Sequence, residues 1–281
     1  MRGRYRHLAH VKTLDPVADC EEIYRGVALR EFPWDMLLAL NLAFYRTYVI
    51  PSIATLIAST GELTGRPRKR ADDTAILMYE MIIHGLGSER GRAAVRQLNR
   101  IHQRFEISAD DYRYVLATLV VVPTRWVDRH GWRPLCCHER AATAQFYGRL
   151  GRLMNIKDIP QGYAEFARFL DAYEQRFLAP SPAATALMAA TTQLFAGRLP
   201  DRLARFAPAM ANCLLDPPVR RAVGAADPPW PARMVVGAGL RTRAAVLRFF
   251  HGPRATLFLA DGINAPSYPD GYAIESVGPS A

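Results

Sequence analysis

The chain has 281 residues, half of them hydrophobic, and a formal net charge of +10 at pH 7. That length and that hydrophobic share suit one large domain with a substantial core. The basic residues are spread over nearly every predicted helix, a balance that can favour anionic surfaces such as membrane lipids. Because no zinc-finger, homeodomain or RNA-recognition signature accompanies them, we expect no nucleic-acid partner.

The sequence contains four cysteines, namely Cys20, Cys136, Cys137 and Cys213. They are too few and too scattered for a disulfide framework, which predicts a reducing compartment. Cys136, Cys137 and His138 are adjacent in sequence, but they lack the two-residue spacing that is usual for zinc ligands. We therefore expect no zinc site there.

The basic N-terminal segment is not followed by an apolar core, so it does not have the pattern of a secretory signal peptide. The most apolar stretch, 34–50, is interrupted by Asp35, Asn41 and Arg46. It falls short of the roughly 20 apolar residues that span a bilayer. We expect no transmembrane helix in this chain and a protein that is cytoplasmic or peripheral to a membrane.

Helical periodicity, prolines and capping residues predict helices over most of the chain. In order, the predicted helices cover 15–31, 34–49, a short segment ending at 59, 71–84, a segment capped by Ser88, 108–130, 136–154, 164–177, 182–196, 202–215, 218–223 and one or two helices within 227–253. Residues 61–73 are predicted as a polar loop and the clearest exposed basic patch. The run 119–123 could be a buried strand, but its lack of alternation and the Ser108 cap favour a helix.

No internal repeat is visible, and strict alternation of polar and apolar residues is scarce. The sequence therefore predicts an all-α fold with a single multi-helix domain of roughly ten helices. That domain is expected to span 1–281, with a core of about 15–260 and a Pro/Gly-rich C-terminal tail at 261–281.

The segment 72–102 is a long apolar helix, a glycine break and a second helix, and we expect the site there. At 3.6 residues per turn, Asp73, Glu80 and His84 share one face of the first helix. An otherwise apolar helix thus carries one ionisable stripe. Gly85 supplies the permissive backbone that a helix needs in order to end.

The second helix also has an apolar arc, formed by Val95, Leu98, Ile101 and Phe105. The same helical wheel places His102 inside that arc, with Arg96 and Asn99 at its edge. His102 is therefore predicted to point inward.

Two interpretations of this hairpin are open. A neutral imidazole is well suited to ligate a buried metal or haem iron, and an inward carboxylate or arginine can tune a bound ligand. Alternatively, His84 and His102 are core histidines and Glu80 is their partner, since buried polar groups need hydrogen bonds with or without chemistry. The signatures G-x-S-x-G, H-E-x-x-H and C-x-x-C are absent.

Several blocks of the sequence together resemble a known family. They are RYRHLAH, EFPWDMLLALNLAFYRTYVIPSIATLI, SERGRAAVRQLNRIHQRF, DDYRYVLATLVVVPTRWVDRHGWR and the ending YPDGYAIESVGP. In this order they resemble the oxygenase family that unites the MpaB proteins of the mycophenolic-acid pathway with the rubber (latex-clearing) oxygenases. The resemblance spans most of the chain and is closest to the MpaB branch.

The resemblance implies an all-helical fold and cleavage of an isoprenoid carbon–carbon double bond by dioxygen, which rubber oxygenases perform with haem b. His102 matches the histidine of the family's N-x-I-H block, and Arg96 and Asn99 fall in the same block. Glu80 and His84 lie in the preceding helix. The implied roles are His102 as iron ligand, His84 beside the cofactor, and Glu80, Arg96 and Asn99 as catalytic residues acting on an apolar, prenyl-type substrate.

One position departs from the family pattern. Where the rubber branch and many bacterial relatives have a histidine in a segment resembling W-V-H-A-T-L-V, this chain has YVLATLV, with Leu116 in the histidine's place. Leucine cannot ligate iron, so a bound haem would need His84, His102 or His130. Helical spacing predicts that Leu116 lies near His102, at the same cofactor position. The membrane helix that the MpaB type carries at its N-terminus is not expected here.

Three functions follow. The first is a haem-dependent oxygenase that acts on an apolar substrate. The second is a non-haem metal enzyme of the same fold, with iron or zinc held by Glu80, His84 and His102. The third is a catalytically inert helical scaffold or lipid-binding protein that kept the fold and lost the site.

Overall fold

A computed structural model describes residues 5–197, 200–250, 258, 259, 263 and 265–279. Within these ranges every regular element is helical and no strand occurs. The all-α prediction is therefore confirmed. The boundary predicted between core and tail, at 260 and 261, lies outside the described residues.

The α-helices follow one another along the chain with short connections. They are α1 (Arg6–Val11), α2 (Cys20–Gly26), α3 (Pro33–Arg46), α4 (Pro51–Ser59), α5 (Glu62–Gly65), α6 (Pro67–His84), α7 (Glu89–His102), α8 (Ala109–His130), α9 (Cys137–Leu153), α10 (Gly162–Phe177), α11 (Pro182–Ala196), α12 (Asp201–Ala204), α13 (Ala207–Leu214), α14 (Pro217–Ala222) and α15 (Trp230–Phe250). A π-helical turn, Val27–Glu31, continues α2, and 3₁₀ turns cover Thr47–Val49 and Ile274–Ser276.

Three expectations about local structure are wrong. The segment 61–73 is not a loop, because Pro67 begins α6, where its missing N–H costs nothing. The helix expected from residue 15 begins only at Cys20, because the Asp15 carboxylate accepts hydrogen bonds from the next backbone amides and forms a turn. The helix expected over 202–215 is divided, and Pro208 lies in the first turn of its second part.

The ambiguous run 119–123 lies inside α8, which is one continuous helix with Pro123 in its interior. The cap that favoured this interpretation is present, since the Asp111 amide donates to the Ser108 hydroxyl at 3.0 Å. The choice of helix over strand is confirmed.

The core is built around α8, which packs against α3, α9 and α10. Its largest fully buried side chains include Tyr24, Tyr114, Phe146, Tyr147 and Phe166. These aromatic residues bury much apolar surface, and the hydroxyls of the three tyrosines still find partners. The Tyr114 hydroxyl, for instance, donates to the Glu174 carboxylate at 2.9 Å.

Helices α6 and α7 form a tight antiparallel pair, which we call the α6–α7 hairpin. Gly85 ends α6 with a φ of +81°, a conformation that other residues rarely adopt. The Ser88 hydroxyl caps α7 by accepting from the Gly91 amide at 2.9 Å. Gly91 itself lies so close to the Gly85 carbonyl that a Cβ there would overlap it. The hairpin therefore depends on two glycines for different reasons.

This contact makes a prediction about stability. Gly91→Ala should lower the free energy of unfolding by about 1–3 kcal/mol, because its methyl group would force the two helices apart. Gly87→Ala is the matched control, since a Cβ at this exposed glycine meets no atom within 4 Å. Urea unfolding measures both variants, and equal losses would contradict the close approach.

Candidate active site

Glu80 lies at the centre of the polar contacts of the hairpin. Its side chain is buried, and Arg90 donates to both carboxylate oxygens, at 2.8 and 2.6 Å. The Tyr272 hydroxyl donates to Oε1 at 2.7 Å. His84 completes the group, with Nε2 3.5 Å from Oε2. Three separate segments, α6, α7 and the C-terminal end, therefore meet on one carboxylate.

These donors determine the charge of Glu80. Burial on its own would raise the pKa of this carboxyl, but the hydrogen bonds from Arg90 and Tyr272 and the charge of Arg90 outweigh burial and hold the pKa below its ordinary value. Glu80 is therefore ionised at neutral pH, and its oxygens are occupied by donors.

The residues 265–279, which we call the C-terminal strap, cross the hairpin and bond to it repeatedly. Besides Tyr272–Glu80, the contacts are Ser267 N–H to Asp72 (3.0 Å), Tyr268 OH to Asp73 (2.5 Å), Gln97 to the Val277 carbonyl (2.6 Å) and Lys69 to the Gly278 carbonyl (2.6 Å). The ionisable stripe of α6 is thus covered by a distant part of the chain.

His102 has a different environment. Its Nδ1 is 2.8 Å from the Leu98 carbonyl, so the neutral ring carries its proton on Nδ1. Among the described residues, Nε2 has no hydrogen-bond partner. The ring is half-buried, and its centroid lies 6.0 Å from that of Tyr112. Burial, and then the nearby Arg70 guanidinium, lower the pKa of His102 despite the opposing effect of the Leu98 carbonyl.

The other predicted site residues are more scattered. His84 is partly exposed and contacts Glu80, as described above. Asn99 donates from its side chain to the Leu153 carbonyl at 3.0 Å, which ties α7 to the end of α9. Arg96 lies on the exposed side of α7. The structure therefore brings Glu80 and His84 together but does not add Arg96 or Asn99 to that cluster.

Leu116 is buried on α8, and its side chain packs against Gly151 of α9. A Cβ at Gly151 would lie 2.7 Å from Leu116 Cδ2 and 2.8 Å from Ile159 Cδ1. The leucine thus fills a close contact between two helices, which favours a packing role at this position.

The two proposed cofactors, non-haem iron and haem, need different sets of ligands from the protein. No group of three or more His, Cys, Asp or Glu side chains in the described part of the chain is placed to hold a metal ion. The set of Glu80, His84 and His102 is therefore not assembled as a non-haem centre. A haem takes its protein ligand from one side chain rather than from a cluster, and His102 Nε2, which has no partner among the described residues, could supply that ligand.

Sequence reasoning missed the two main partners of Glu80. Arg90 follows Glu80 by ten residues across the glycine turn, and Tyr272 follows it by 192. The signal for Arg90 was available, because an arginine in the first turn of α7 faces the last turns of α6 in a tight hairpin. The motif YPDGY contains both tyrosines of the strap, but nothing local indicated where it docks.

Comparisons with known proteins show which family the chain matches. The family model for the catalytic domain of ER-bound oxygenase mpaB/B' and rubber oxygenase matches residues 32–249. The chain is 28% identical to ER-bound oxygenase mpaB' of Penicillium brevicompactum, over 96% of this chain and 71% of that protein. It is 30% identical to mpaB of the same fungus, over 57% of this chain and 45% of the relative. It is 32% identical to mpaB of Penicillium roqueforti (strain FM164), over 52% of this chain and 51% of the relative.

The fold and the match over most of the chain define an oxygenase of the all-α class. The chain belongs to the mpaB/rubber oxygenase catalytic-domain family, which confirms the resemblance seen in the sequence. The aligned part spans about half the length of the two mpaB relatives.

Membrane-spanning potential is limited in the described residues. No single helix there is long and apolar enough to cross a bilayer, whereas Pro33–Val49 and Pro51–Ser59, bent by 102°, reach that length and composition together.

The strap contact makes a second prediction. Tyr272→Phe should destabilise the fold by about 1 kcal/mol near neutral pH, because Glu80 loses a donor. A carboxyl with a depressed folded-state pKa stabilises the fold above its unfolded pKa of about 4.3, and that stability is lost as pH falls through the folded pKa. The difference between wild type and Tyr272→Phe should therefore shrink in acid. Chemical unfolding at several pH values measures it.

The control for this prediction is a double-mutant cycle. In a Glu80→Gln background the effect of Tyr272→Phe should be smaller, because the carboxylate that it stabilises is gone. Equal effects in both backgrounds would show that Tyr272 acts independently of Glu80.

Proposed function

We propose that this chain is a haem-dependent oxygenase that uses dioxygen on an apolar, prenyl-type substrate, and that His102 is the residue that would hold the haem iron. The observation that carries the proposal is the state of the His102 ring. Its Nδ1 is bonded to the Leu98 carbonyl, and its Nε2 has no partner among the described residues. In metal-bound histidines, the ring nitrogen that does not bind the metal commonly donates such a hydrogen bond, which fixes the tautomer and the orientation of the ring.

The lowered pKa of His102 supports the same role. At neutral pH the ring is uncharged, so iron would not have to displace a proton from Nε2. The Leu98 carbonyl fixes the direction of the ring, and the Tyr112 ring packs beside it. Bound haem would supply the iron that activates dioxygen.

Glu80 is proposed to act as a positioning residue for His102. Its oxygens are occupied by Arg90 and Tyr272, and its lowered pKa keeps it ionised, so it is a poor proton donor at neutral pH. It holds α7 at a fixed distance from α6 and so fixes the helix that carries His102. Arg96 and Asn99 stay candidate catalytic residues through their place on α7.

The proposed substrate class rests on the neighbours of His102. Its ring lies beside Tyr112, and the Arg70 guanidinium that influences its pKa packs over the Phe44 ring at 5.6 Å. An apolar substrate would bind there mainly by burial, at roughly 25 cal/mol per Å². The names of the relatives call them ER-bound, and the net charge of +10 suits anionic lipid, so we also propose peripheral contact with a membrane.

One observation favours a second candidate function. Leu116 replaces the histidine of the family pattern and packs tightly against Gly151, as a purely structural residue would. A chain that kept the fold and lost the chemistry would be a helical lipid-binding scaffold. Ligand binding without haem or oxygen consumption is its expected behaviour.

The ligand assignment predicts the effect of one substitution. His102→Ala should abolish haem binding while keeping most helical content, because it removes the imidazole that would hold the iron and leaves the helix backbone intact. Titration of the purified protein with haem, followed through the Soret band and iron content, measures the loss. Circular dichroism checks that the variant is folded.

His130→Ala is the matched control. His130 is also half-buried, packs on the Trp126 ring at 4.4 Å, and has a pKa lowered by burial. It should retain full haem stoichiometry. Full haem binding by His102→Ala would refute the assignment, and a loss in His130→Ala alone would move the ligand to α8.

Leu116 gives an independent prediction. Leu116→His should lower the free energy of unfolding by about 1–3 kcal/mol, because an imidazole would be buried against Gly151 without a partner. We expect no gain in haem affinity, since this side chain packs between α8 and α9. Tighter haem binding at little cost in thermal stability would instead show that Leu116 faces the cofactor.

A further inference from the structure

The last long helix, α15, is unusual among the described helices because none of its residues is buried. Its large apolar side chains are strongly exposed, and they are Trp230 (72%), Met234 (56%), Val235 (71%), Val246 (40%), Phe249 (68%) and Phe250 (82%). Exposed apolar area of this extent marks an interaction surface more often than a solvated one.

One side of α15 is held by the rest of the fold. The helix packs against α13 and α8, and Arg243 donates to both oxygens of the buried Asp35 carboxylate at 3.0 Å. The same guanidinium lies over the Trp34 ring, 4.0 Å from its centroid. Trp34 is itself 41% exposed, so the apolar surface continues from α15 onto α3.

The outward side has a clear pattern. At about 100° per residue, the exposed apolar side chains fall within roughly half of the helix circumference, and Arg241 and Arg248 lie at the edge of that arc. Both arginines are exposed. Residues 230–250 contain four arginines and no aspartate or glutamate. An apolar face that is edged by cations and carries no acid is the pattern of a helix that lies in a membrane interface.

We propose that α15 is the docking surface of this protein for an anionic lipid bilayer. Its apolar face enters the boundary between headgroups and acyl chains, and Arg241 and Arg248 meet the negatively charged headgroups. This inference deepens the proposed membrane contact and does not depend on the haem site.

The charges favour lipid over a second copy of the chain. Two α15 faces packed together would bring arginines near one another, and α15 offers no acid to compensate them. An anionic surface supplies the missing opposite charge on the same side as the apolar contact.

Cosedimentation of the full chain with vesicles tests the proposal. The vesicles are made of phosphatidylcholine, with or without a minority of phosphatidylserine. We expect binding to the anionic vesicles that weakens as salt is added, because screening reduces the contribution of the arginines. Absent binding, or equal and salt-independent binding to both kinds of vesicle, would overturn the proposal.

Two double variants locate the surface. Met234→Asp with Val235→Asp should reduce affinity for anionic vesicles about tenfold or more, because two apolar side chains no longer enter the bilayer. Arg241→Glu with Arg248→Glu should reduce it by about fivefold or more for each arginine, since one arginine contributes about 1 kcal/mol near such a surface.

The controls change matched residues elsewhere. Val17→Asp alters an exposed apolar residue before α2, and Arg152→Glu alters an exposed arginine at the end of α9. Both should bind vesicles like the wild type. Light scattering follows self-association in every variant. Wild-type vesicle affinity in the α15 variants would refute the proposal. If these variants also lose self-association that the wild type shows, the face would be assigned to a second copy of the chain.

Haem titration of the same α15 variants separates this inference from the proposed chemistry. Haem binding should be unchanged, because α15 carries none of the residues around His102. If the wild-type chain binds haem but does not bind anionic vesicles, the lipid surface alone is refuted.

Discussion

The arrangement of the hairpin depends on the buried Glu80 carboxylate, which must be hydrogen-bonded by donors from other segments. Glu80 would be strongly unfavourable in its buried position without hydrogen bonds. The Arg90 guanidinium donates two hydrogen bonds to this carboxylate, and the Tyr272 hydroxyl donates a third. Because these partners come from α7 and from the C-terminal strap, satisfying one charge fixes three segments relative to one another. The backbone contact between Gly85 and Gly91 brings the two helices close enough for the Arg90 guanidinium to reach the Glu80 carboxylate.

This arrangement separates the roles of the two polar side chains that the sequence singled out. Glu80 is ionised, and both of its carboxylate oxygens accept hydrogen bonds that hold the hairpin and the strap together. His102, on the other helix of the hairpin, is uncharged and has one nitrogen without a partner in the described part of the chain. The Glu80 contacts lie near the turn of the hairpin, whereas His102 is the last residue of α7, so they support the helix that carries the ligand atom rather than the ring itself. The strap extends that support along α6 through Asp72 and Asp73.

Local signals in the sequence were sufficient for much of the fold. Ser88 and Ser108 are caps whose bonds lie within three residues, and Pro182 begins a helix whose predicted bounds, 182–196, match α11. The helical wheel placed Glu80 and His84 on one face of α6, and His84 Nε2 lies 3.5 Å from the Glu80 carboxylate. Composition misled at 61–73, where the polar residues belong to α5 and the first turns of α6 and were taken for a loop.

Partners that are distant in sequence could not be predicted. A helical wheel shows which face of α6 carries Glu80, but it cannot show that Tyr272 of the strap will donate to that carboxylate. Leu116 was expected near His102, and its contact with Gly151 could not be predicted because it depends on how α8 and α9 cross. The packing of α15 on the rest of the fold likewise depends on a distant partner, because Arg243 bonds to Asp35 of α3. In the sequence, Asp35 was only a charge that interrupts an apolar helix.

The proposed cofactor site depends on one state of His102, a neutral imidazole with its proton on Nδ1 and an available lone pair on Nε2. Long-range ¹⁵N–¹H NMR of the haem-free protein, labelled at histidine, tests it directly. The account predicts a protonated Nδ1 and an unprotonated Nε2 at neutral pH, with protonation of the ring only below its ordinary pKa of about 6.5. A charged ring at neutral pH, or a proton on Nε2, would contradict the account.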